Sequence, residues 1–131
     1  EGMGRAGHCD HNTAIRAGTR QALALMTESA TQRAILIRLG ALPHTLCART
    51  AATAVYLPNG RLHRPLPPGW PDITLIVRGR AVAIEVKSDI GKLRPSQETM
   101  QAAWLAAGGV WITARRVEDV DCVVTAAREG W

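Results

Sequence analysis

The segment of residues 69 to 92, GWPDITLIVRGRAVAIEVKSDIGK, constrains the fold more strongly than any other part of the chain. Two runs rich in β-branched and apolar residues, DITLIV and AVAIEVK, flank the short connection RGR. This pattern predicts an antiparallel β-hairpin with a tight turn. Because successive side chains of a strand point to opposite faces, Val82, Ile84 and Val86 share the face that we expect to pack on the core.

Three charged side chains interrupt this otherwise apolar hairpin. Glu85 and Lys87 fall on the face opposite to the core, and a turn around Gly79 returns Asp72 to the same end of the hairpin. We expect Asp72 to lie opposite Val86 if the connection has three residues, and opposite Lys87 if it has two. In either register, Asp72 and Glu85 become neighbours, although twelve residues separate them in the chain.

Two carboxylates that converge at a strand end repel each other and lose hydration, so they favour a compensating cation. Lys87 supplies part of that charge, and a divalent ion would supply more. Oxygen ligands without histidine or cysteine favour magnesium or manganese over zinc, and the Val86 carbonyl could add one further oxygen. Such an ion activates water and neutralises a phosphate, with Lys87 orienting the water, which is the chemistry of phosphodiester hydrolysis. The alternative is an exposed Glu85–Lys87 ion pair that needs no metal.

A helix is predicted to begin at Thr27 and to end at Gly40. Glu28, Ile35 and Leu39 share one face of this helix, and the apolar part of that face must pack on the core. Glu28 therefore either lies at the edge of the core, or it is solvated and only stabilises the helix through the positive end of the helix dipole.

The other segments complete a mixed α/β pattern. In chain order they are one or two short strands (residues 44 to 57), a loop (58 to 71), a helix from Pro95 to Gly108-Gly109, a short buried strand (110 to 113) and a last helix from about Val117 to Arg128. Helix, strands, helix, strand and helix in this order predict a central sheet flanked by helices.

Length and composition indicate one domain. The 131 residues suit a single core, which we assign to residues 27 to 131, with residues 1 to 26 as a leader that is flexible or forms a short helix. There is no long apolar run and no secretory signal pattern, and the three cysteines are widely spaced. We therefore expect a protein of a reducing cytoplasm with no membrane partner.

The chain is basic, with a net charge of +5, and Lys87 and Lys92 are its only lysines. A surface rich in arginine favours a polyanion such as nucleic acid. Aromatic residues make up only 4% of the chain, which argues against base stacking as the main mode of binding. The candidate phosphate contacts are Arg61, Arg64, Lys92, Arg94, Arg115 and Arg116. Solvated surface charge is the alternative for each of them.

Pro71-Asp72 followed by Glu85-Val86-Lys87 resembles the motif of the PD-(D/E)xK nucleases, whose core has the order αβββαβ. The wider segment, with GGVWITARRVEDV after it and TESATQRAILIRLG before it, resembles the VRR-NUC (virus-type replication-repair nuclease) family. The resemblance covers about residues 27 to 121.

The resemblance implies a site in which Asp72, Glu85 and the Val86 carbonyl bind Mg²⁺ or Mn²⁺, Lys87 is catalytic, and Gln97 and Glu28 complete the set, Glu28 as a candidate further ligand. It also matches Arg49 to a DNA-binding arginine on the first strand, with Thr50 where an asparagine is expected. Arg94 stands where the family has a serine that caps the second helix.

Stand-alone members of this family, from phages and bacteria, are similar to Holliday-junction resolvases and act as homodimers. One chain offers one site, and two symmetric cuts in a four-way junction need two sites related by a two-fold axis. The resemblance therefore implies a metal-dependent endonuclease for branched DNA. A flap, nicking or restriction-type nuclease and an inactive DNA-binding module are the alternatives, and the intact Asp72, Glu85 and Lys87 argue against the last.

Overall fold

The computed structural model describes residues 27–51 and 54–131, so the predicted leader lies outside the described residues. The elements are α1 (residues 27–39), β1 (Thr45–Arg49), β2 (Val55–Tyr56), β3 (Leu62–His63), β4 (Ile73–Val77), β5 (Arg80–Val86), α2 (Pro95–Ala106), β6 (Val110–Ala114), a 3-10 turn (Val117–Val120) and α3 (Asp121–Glu129). No helix within the described ranges is long and apolar enough to cross a membrane.

Four strands form a mixed central sheet in the order β1-β4-β5-β6. β4 is antiparallel to both of its neighbours, whereas β6 is parallel to β5. Parallel neighbours need a crossover connection, and α2 supplies it. Apart from the short ribbon β2–β3, the order from α1 to β6 is αβββαβ, so the predicted fold class is confirmed.

The strands β2 and β3 form a short two-stranded ribbon, in which β2 precedes the segment predicted as a loop and β3 lies inside it. Leu62–His63 is a strand that pairs with Val55–Tyr56, so the prediction of a loop over residues 58 to 71 was wrong at this point. The reason is local, because Gly60 has a φ of 79° and closes a turn between Leu57 and Arg61.

The hairpin of β4 and β5 has a two-residue connection. Val77 pairs with Arg80, and both intervening residues, Arg78 and Gly79, have positive φ angles of 47° and 80°. Positive φ at both positions is what a type I′ turn requires. The Arg78 guanidinium donates hydrogen bonds to the Ala127 carbonyl at 3.1 Å and to the carbonyl of the next residue, which anchors this unusual backbone to α3.

The predicted register of the hairpin was wrong. Ile73 pairs with Ile84, so Asp72, one residue earlier, falls at the level of Glu85 rather than Val86 or Lys87. The turn has two residues, and counting five positions from the Val77–Arg80 pair along each strand leads to Asp72 on one side and Glu85 on the other. The observed register places the two acidic residues directly across from each other.

Helices cover one face of the sheet and part of the other. On one face, Val82, Ile84 and Val86 are buried as predicted, against Ile35 of α1 and Val123 of α3. The opposite face, expected to carry only small residues and charges, is enclosed near the open end of the hairpin, with Ala83 at 0% and Glu85 at 3% exposure, whereas Ile76 near the turn is 49% exposed. α2 lies on this second face, as the hydrogen bond from Gln97 to the Glu85 side chain shows.

The region after β6 differs slightly from the predicted single helix. Val117–Val120 forms a 3-10 turn, and α3 begins only at Asp121. The Asp119 carboxylate accepts the backbone N–H groups of Arg115 and Arg116, at 2.8 and 3.1 Å, which caps the turn and separates it from α3.

Candidate active site

Asp72 and Glu85 are joined through each other's backbone at the open end of the hairpin. The Val86 N–H donates to Asp72 Oδ2 at 2.9 Å, and the Asp72 N–H donates to Glu85 Oε2 at 3.3 Å. The observed register creates this exchange, because it sets the two residues at the same level of neighbouring strands. The carboxylates therefore lie side by side, with Glu85 almost fully buried and Asp72 half-buried.

Gln97 and Lys87 hold the other oxygen of Glu85. Gln97 Nε2 donates to Glu85 Oε1 at 2.6 Å, and Lys87 Nζ lies 3.4 Å from the same oxygen. Gln97 Oε1 in turn accepts the Arg94 N–H at 2.8 Å at the start of α2. The Lys87 and Glu85 side chains are 12% and 4% exposed, so the alternative of a solvent-exposed ion pair was wrong.

The first helix reaches the same site through Glu28. Glu28 Oε1 accepts the Ser88 N–H at 2.7 Å, which fixes the chain immediately after Lys87. Burial is the main cause of the raised pKa of the Asp72 carboxyl, and the negative charge of Glu28 adds to it. The structure thus brings together all five side chains that the sequence assigned to catalysis, namely Glu28, Asp72, Glu85, Lys87 and Gln97.

The electrostatics of the pair favour added positive charge. Burial, with the neighbouring Asp72 carboxylate, raises the pKa of Glu85 from 4.5 to about 7, and Lys87 opposes the shift. Burial also raises the pKa of Asp72, against the lowering effects of the Val86 N–H and the Lys87 charge. Because burial is the main cause of both pKa shifts, the ionised carboxylates have lost hydration that a bound cation would compensate.

The donor set suits a hard divalent cation that keeps much of its water. Within residues 27–51 and 54–131, no group of three or more His, Cys, Asp or Glu side chains is arranged to hold a metal ion, so Asp72 and Glu85 form a pair of carboxylates without a third. Magnesium is commonly bound by one or two carboxylates, with waters and substrate phosphate completing its shell. Val86 directs its N–H at Asp72, and a strand residue directs its N–H and C=O to the same neighbouring strand. The Asp72 and Glu85 carboxylates with the Val86 carbonyl therefore fit Mg²⁺ or Mn²⁺.

A cleft of about 360 Å³ opens beside the acidic pair. Asp72 and Gln97 line it, together with three of the arginines proposed to bind DNA, namely Arg49, Arg64 and Arg94. Pro65, Pro67 and Pro68 contribute to its wall. An anionic chain entering this cleft would meet guanidinium groups next to the carboxylates.

The other basic residues lie elsewhere. Arg61 is exposed beside the β2–β3 ribbon, and Lys92 is exposed on the loop before α2. Arg116 is also exposed and lies 3.9 Å from Asp89. The Arg115 guanidinium instead donates to the backbone carbonyls of Ser88 and Gly91, and so ties the loop after Lys87 to the end of β6.

Sequence reasoning missed two residues that shape this site. Gly69 has a φ of 82°, and a Cβ there would overlap the Ser96 carbonyl at the start of α2. Thr50 binds the backbone on both sides of Asp72. The Pro68-Gly69 pair is a sequence signal for a turn that needs glycine. The contacts of Thr50 have no signal in the local sequence.

Comparison with known proteins defines the fold. No protein-family model and no curated protein matches the chain. A solved structure described as "VRR_NUC domain" matches with a TM-score of 0.54 and 23% sequence identity, over 75% of this chain and 94% of that chain. The chain is therefore a mixed α/β protein with a central four-stranded sheet and the fold of that VRR_NUC domain, as its resemblance to that family implied.

Proposed function

We propose that the chain is a nuclease of the VRR-NUC family, which hydrolyses phosphodiester bonds in DNA with Mg²⁺ or Mn²⁺. One observation carries the proposal: the Asp72 and Glu85 carboxylates lie across from each other at a strand end, with Lys87 Nζ 3.4 Å from Glu85. The fold shared with the VRR_NUC domain structure supports it.

In this proposal, Asp72, Glu85 and the Val86 carbonyl would hold the ion, and Glu28 is a candidate further ligand through Oε2, the oxygen that does not accept the Ser88 N–H. A bound ion would lower the pKa of a water and neutralise charge on the scissile phosphate. Lys87 Nζ donates to the attacking water or to the negative charge that develops on the phosphate. Gln97 keeps the Glu85 carboxylate in a single orientation through its 2.6 Å hydrogen bond.

The arginine-lined cleft is the proposed path of the DNA strand. Arg49, Arg64 and Arg94 line it together with Asp72, and guanidinium groups bind phosphate with paired hydrogen bonds. The exposed Arg61, Lys92 and Arg116 are proposed to follow the duplex further from the site, and Arg115 to contribute through the loop that it ties. These side chains would contact the phosphate backbone and not the bases, so we expect the shape of the DNA rather than its base sequence to select the substrate.

The proposed substrate is branched DNA, with a Holliday junction as the leading candidate, cut by a homodimer. One chain holds one carboxylate pair among its described residues, so two symmetric incisions require two copies related by a two-fold axis. Flap, nicking and restriction-type activities use the same chemistry on other DNA shapes.

The test is cleavage of end-labelled four-way junction, flap, nicked and plain duplex DNA, with Mg²⁺, Mn²⁺ or chelator. We expect the wild type to make paired symmetric incisions in the junction, and chelator, Asp72→Ala and Lys87→Ala to abolish them. Glu129→Ala is the matched control, because this carboxylate is exposed at the end of α3, which contacts the closed end of the hairpin, and its loss should leave cleavage unchanged.

The outcomes separate the alternatives. A single incision near a 5′ end would contradict junction resolution and indicate a flap nuclease. If wild type and variants bind junctions equally and none cuts any DNA with either metal, the nuclease proposal is wrong and a DNA-binding module remains.

A further inference from the structure

Thr50, the residue immediately after β1, forms hydrogen bonds with the backbone on both sides of Asp72. Its hydroxyl donates to the Pro71 carbonyl at 2.8 Å, and its N–H donates to the Asp72 carbonyl at 2.7 Å. The Ala51 N–H also donates to the Asp72 carbonyl, at 3.0 Å. A single residue thus contacts the two peptide groups that flank the Asp72 Cα.

The hydroxyl of Thr50 belongs to a chain of hydrogen bonds with one possible direction. The Trp70 indole N–H can only donate, and it lies 3.1 Å from Thr74 Oγ1. The Pro71 carbonyl can only accept, and it takes the single proton of the Thr50 hydroxyl. The 2.8 Å bond between the two hydroxyls must therefore run from Thr74 to Thr50. Every donor in the chain is used, so the Thr50 hydroxyl has a fixed orientation.

The direction of the Asp72 side chain depends on these contacts. The orientations of the peptide planes before and after a residue determine its φ and ψ angles, and hence where its Cβ points. Thr50 holds the carbonyl of each of these planes. The third restraint is the Val86 N–H, which binds Asp72 Oδ2 directly.

We propose that Thr50 is a positioning residue that sets the orientation of the Asp72 carboxylate through its hydroxyl. The consequence for metal binding rests on the proposed function, whereas the positioning itself can be measured in the metal-free protein. Groups that orient a metal ligand without touching the metal typically change its affinity by about 10- to 100-fold.

The first readout is amide hydrogen exchange at Val86, measured by NMR without metal. This N–H is bound to Asp72 Oδ2, so its protection reports how firmly the carboxylate is held. In Thr50→Val, which has nearly the same shape but no hydroxyl, we expect Val86 to exchange about five to ten times faster, as for the loss of one hydrogen bond. Thr50→Ser keeps the hydroxyl and should restore the slow exchange.

Thr45→Val is the matched control for the loss of a threonine hydroxyl on the same strand. Thr45 Oγ1 donates to the Pro43 carbonyl at 2.9 Å at the opposite end of β1. This variant should leave Val86 exchange unchanged. Should valine at position 50 prevent folding, Thr50→Ala removes the same hydroxyl with a smaller side chain and is measured in the same way.

The second readout is Mn²⁺ affinity by calorimetric titration of the free protein. We expect affinity to fall by about 10- to 100-fold in Thr50→Val and to recover in Thr50→Ser. Unchanged Val86 exchange in the variants without the hydroxyl, or an equal change in Thr45→Val, overturns the assignment of Thr50. A wild type that binds no Mn²⁺ and cuts no DNA overturns the proposed function, while the exchange result still decides the role of Thr50.

Discussion

Gln97 Nε2 donates a 2.6 Å hydrogen bond to Glu85 Oε1, and both residues are only 3% exposed. The same amide accepts the Arg94 N–H through its oxygen, so one side chain joins the start of α2 to the acidic strand. Both ends of the amide are thereby committed, and the helix cannot shift without moving the carboxylate. A change in the packing of α2 would therefore also change the geometry of the site.

Gln97→Leu should lower the free energy of unfolding by about 2 kcal/mol, because it leaves the Glu85 carboxylate and the Arg94 N–H without their partner. Urea unfolding measures this change. Gln101→Leu, one turn further along α2, is the control and should change stability by less than about 0.5 kcal/mol. Equal effects of the two substitutions would mean that the hydrogen bonds of Gln97 add nothing to the free energy of unfolding.

The metal-free protein should lose stability as the pH rises from 4.5 to about 7. The raised pKa of Glu85 means that the folded state holds this proton more tightly than the unfolded chain. The resulting stabilisation is complete below 4.5 and is lost as the pH passes through about 7, with a total of roughly 3 kcal/mol. The raised pKa of Asp72 acts in the same direction.

Urea unfolding in chelator at several pH values tests this dependence. Glu85→Gln should flatten most of the loss, because a neutral amide cannot titrate. Asp89→Asn, at an exposed carboxylate, should keep the wild-type profile. A wild type whose stability rises between pH 5 and pH 7 would show that other groups dominate.

Gly69→Ala should be far more damaging than Gly60→Ala, although both glycines have nearly the same φ, 82° and 79°. A Cβ at Gly60 meets open space, so only the backbone strain of about 1 kcal/mol applies there. A Cβ at Gly69 overlaps the Ser96 carbonyl, which should raise the cost to about 3 kcal/mol or more. Thermal unfolding of the two variants compares them directly. Similar costs would mean that the contact between Gly69 and α2 is loose.

Arg64→Ala should weaken DNA binding equally for all base sequences and reduce the slope of log affinity against log salt by about one unit. The reason is that Arg64 lines the cleft beside Asp72, where it would neutralise one phosphate. Fluorescence anisotropy at several salt concentrations measures the slope. Arg33→Ala removes an exposed arginine of α1 and should keep the wild-type slope. A slope unchanged by Arg64→Ala would place the DNA outside the cleft.

Local patterns were enough to predict the parts of the fold that depend on periodicity. The alternation of Val82, Ile84 and Val86 predicted the buried face of β5, and Pro95 marked the start of α2, since each signal comes from residues close in the chain. The two-residue turn was one of the predicted alternatives, but the register assigned to it was wrong: with Val77 paired to Arg80, Asp72 lies level with Glu85 and not with Lys87.

The site shows the same division. The motif and the family resemblance named Asp72, Glu85 and Gln97, and the structure brings them together. The hydroxyl of Thr50 was missed because its partner, the Pro71 carbonyl, lies 21 residues away. Arg115 was assigned to DNA, yet its guanidinium binds backbone carbonyls of the loop after β5, which only the three-dimensional structure reveals.

The central claim is that Asp72 and Glu85 form the metal site of a nuclease. Its most direct test is the cleavage rate of a labelled four-way junction in Mg²⁺ by wild type, Asp72→Asn and Glu129→Gln, the last at an exposed carboxylate of α3. We predict metal-dependent cleavage by wild type and Glu129→Gln, and none by Asp72→Asn at equal DNA binding. Cleavage by Asp72→Asn at the wild-type rate, or in chelator, would contradict the claim.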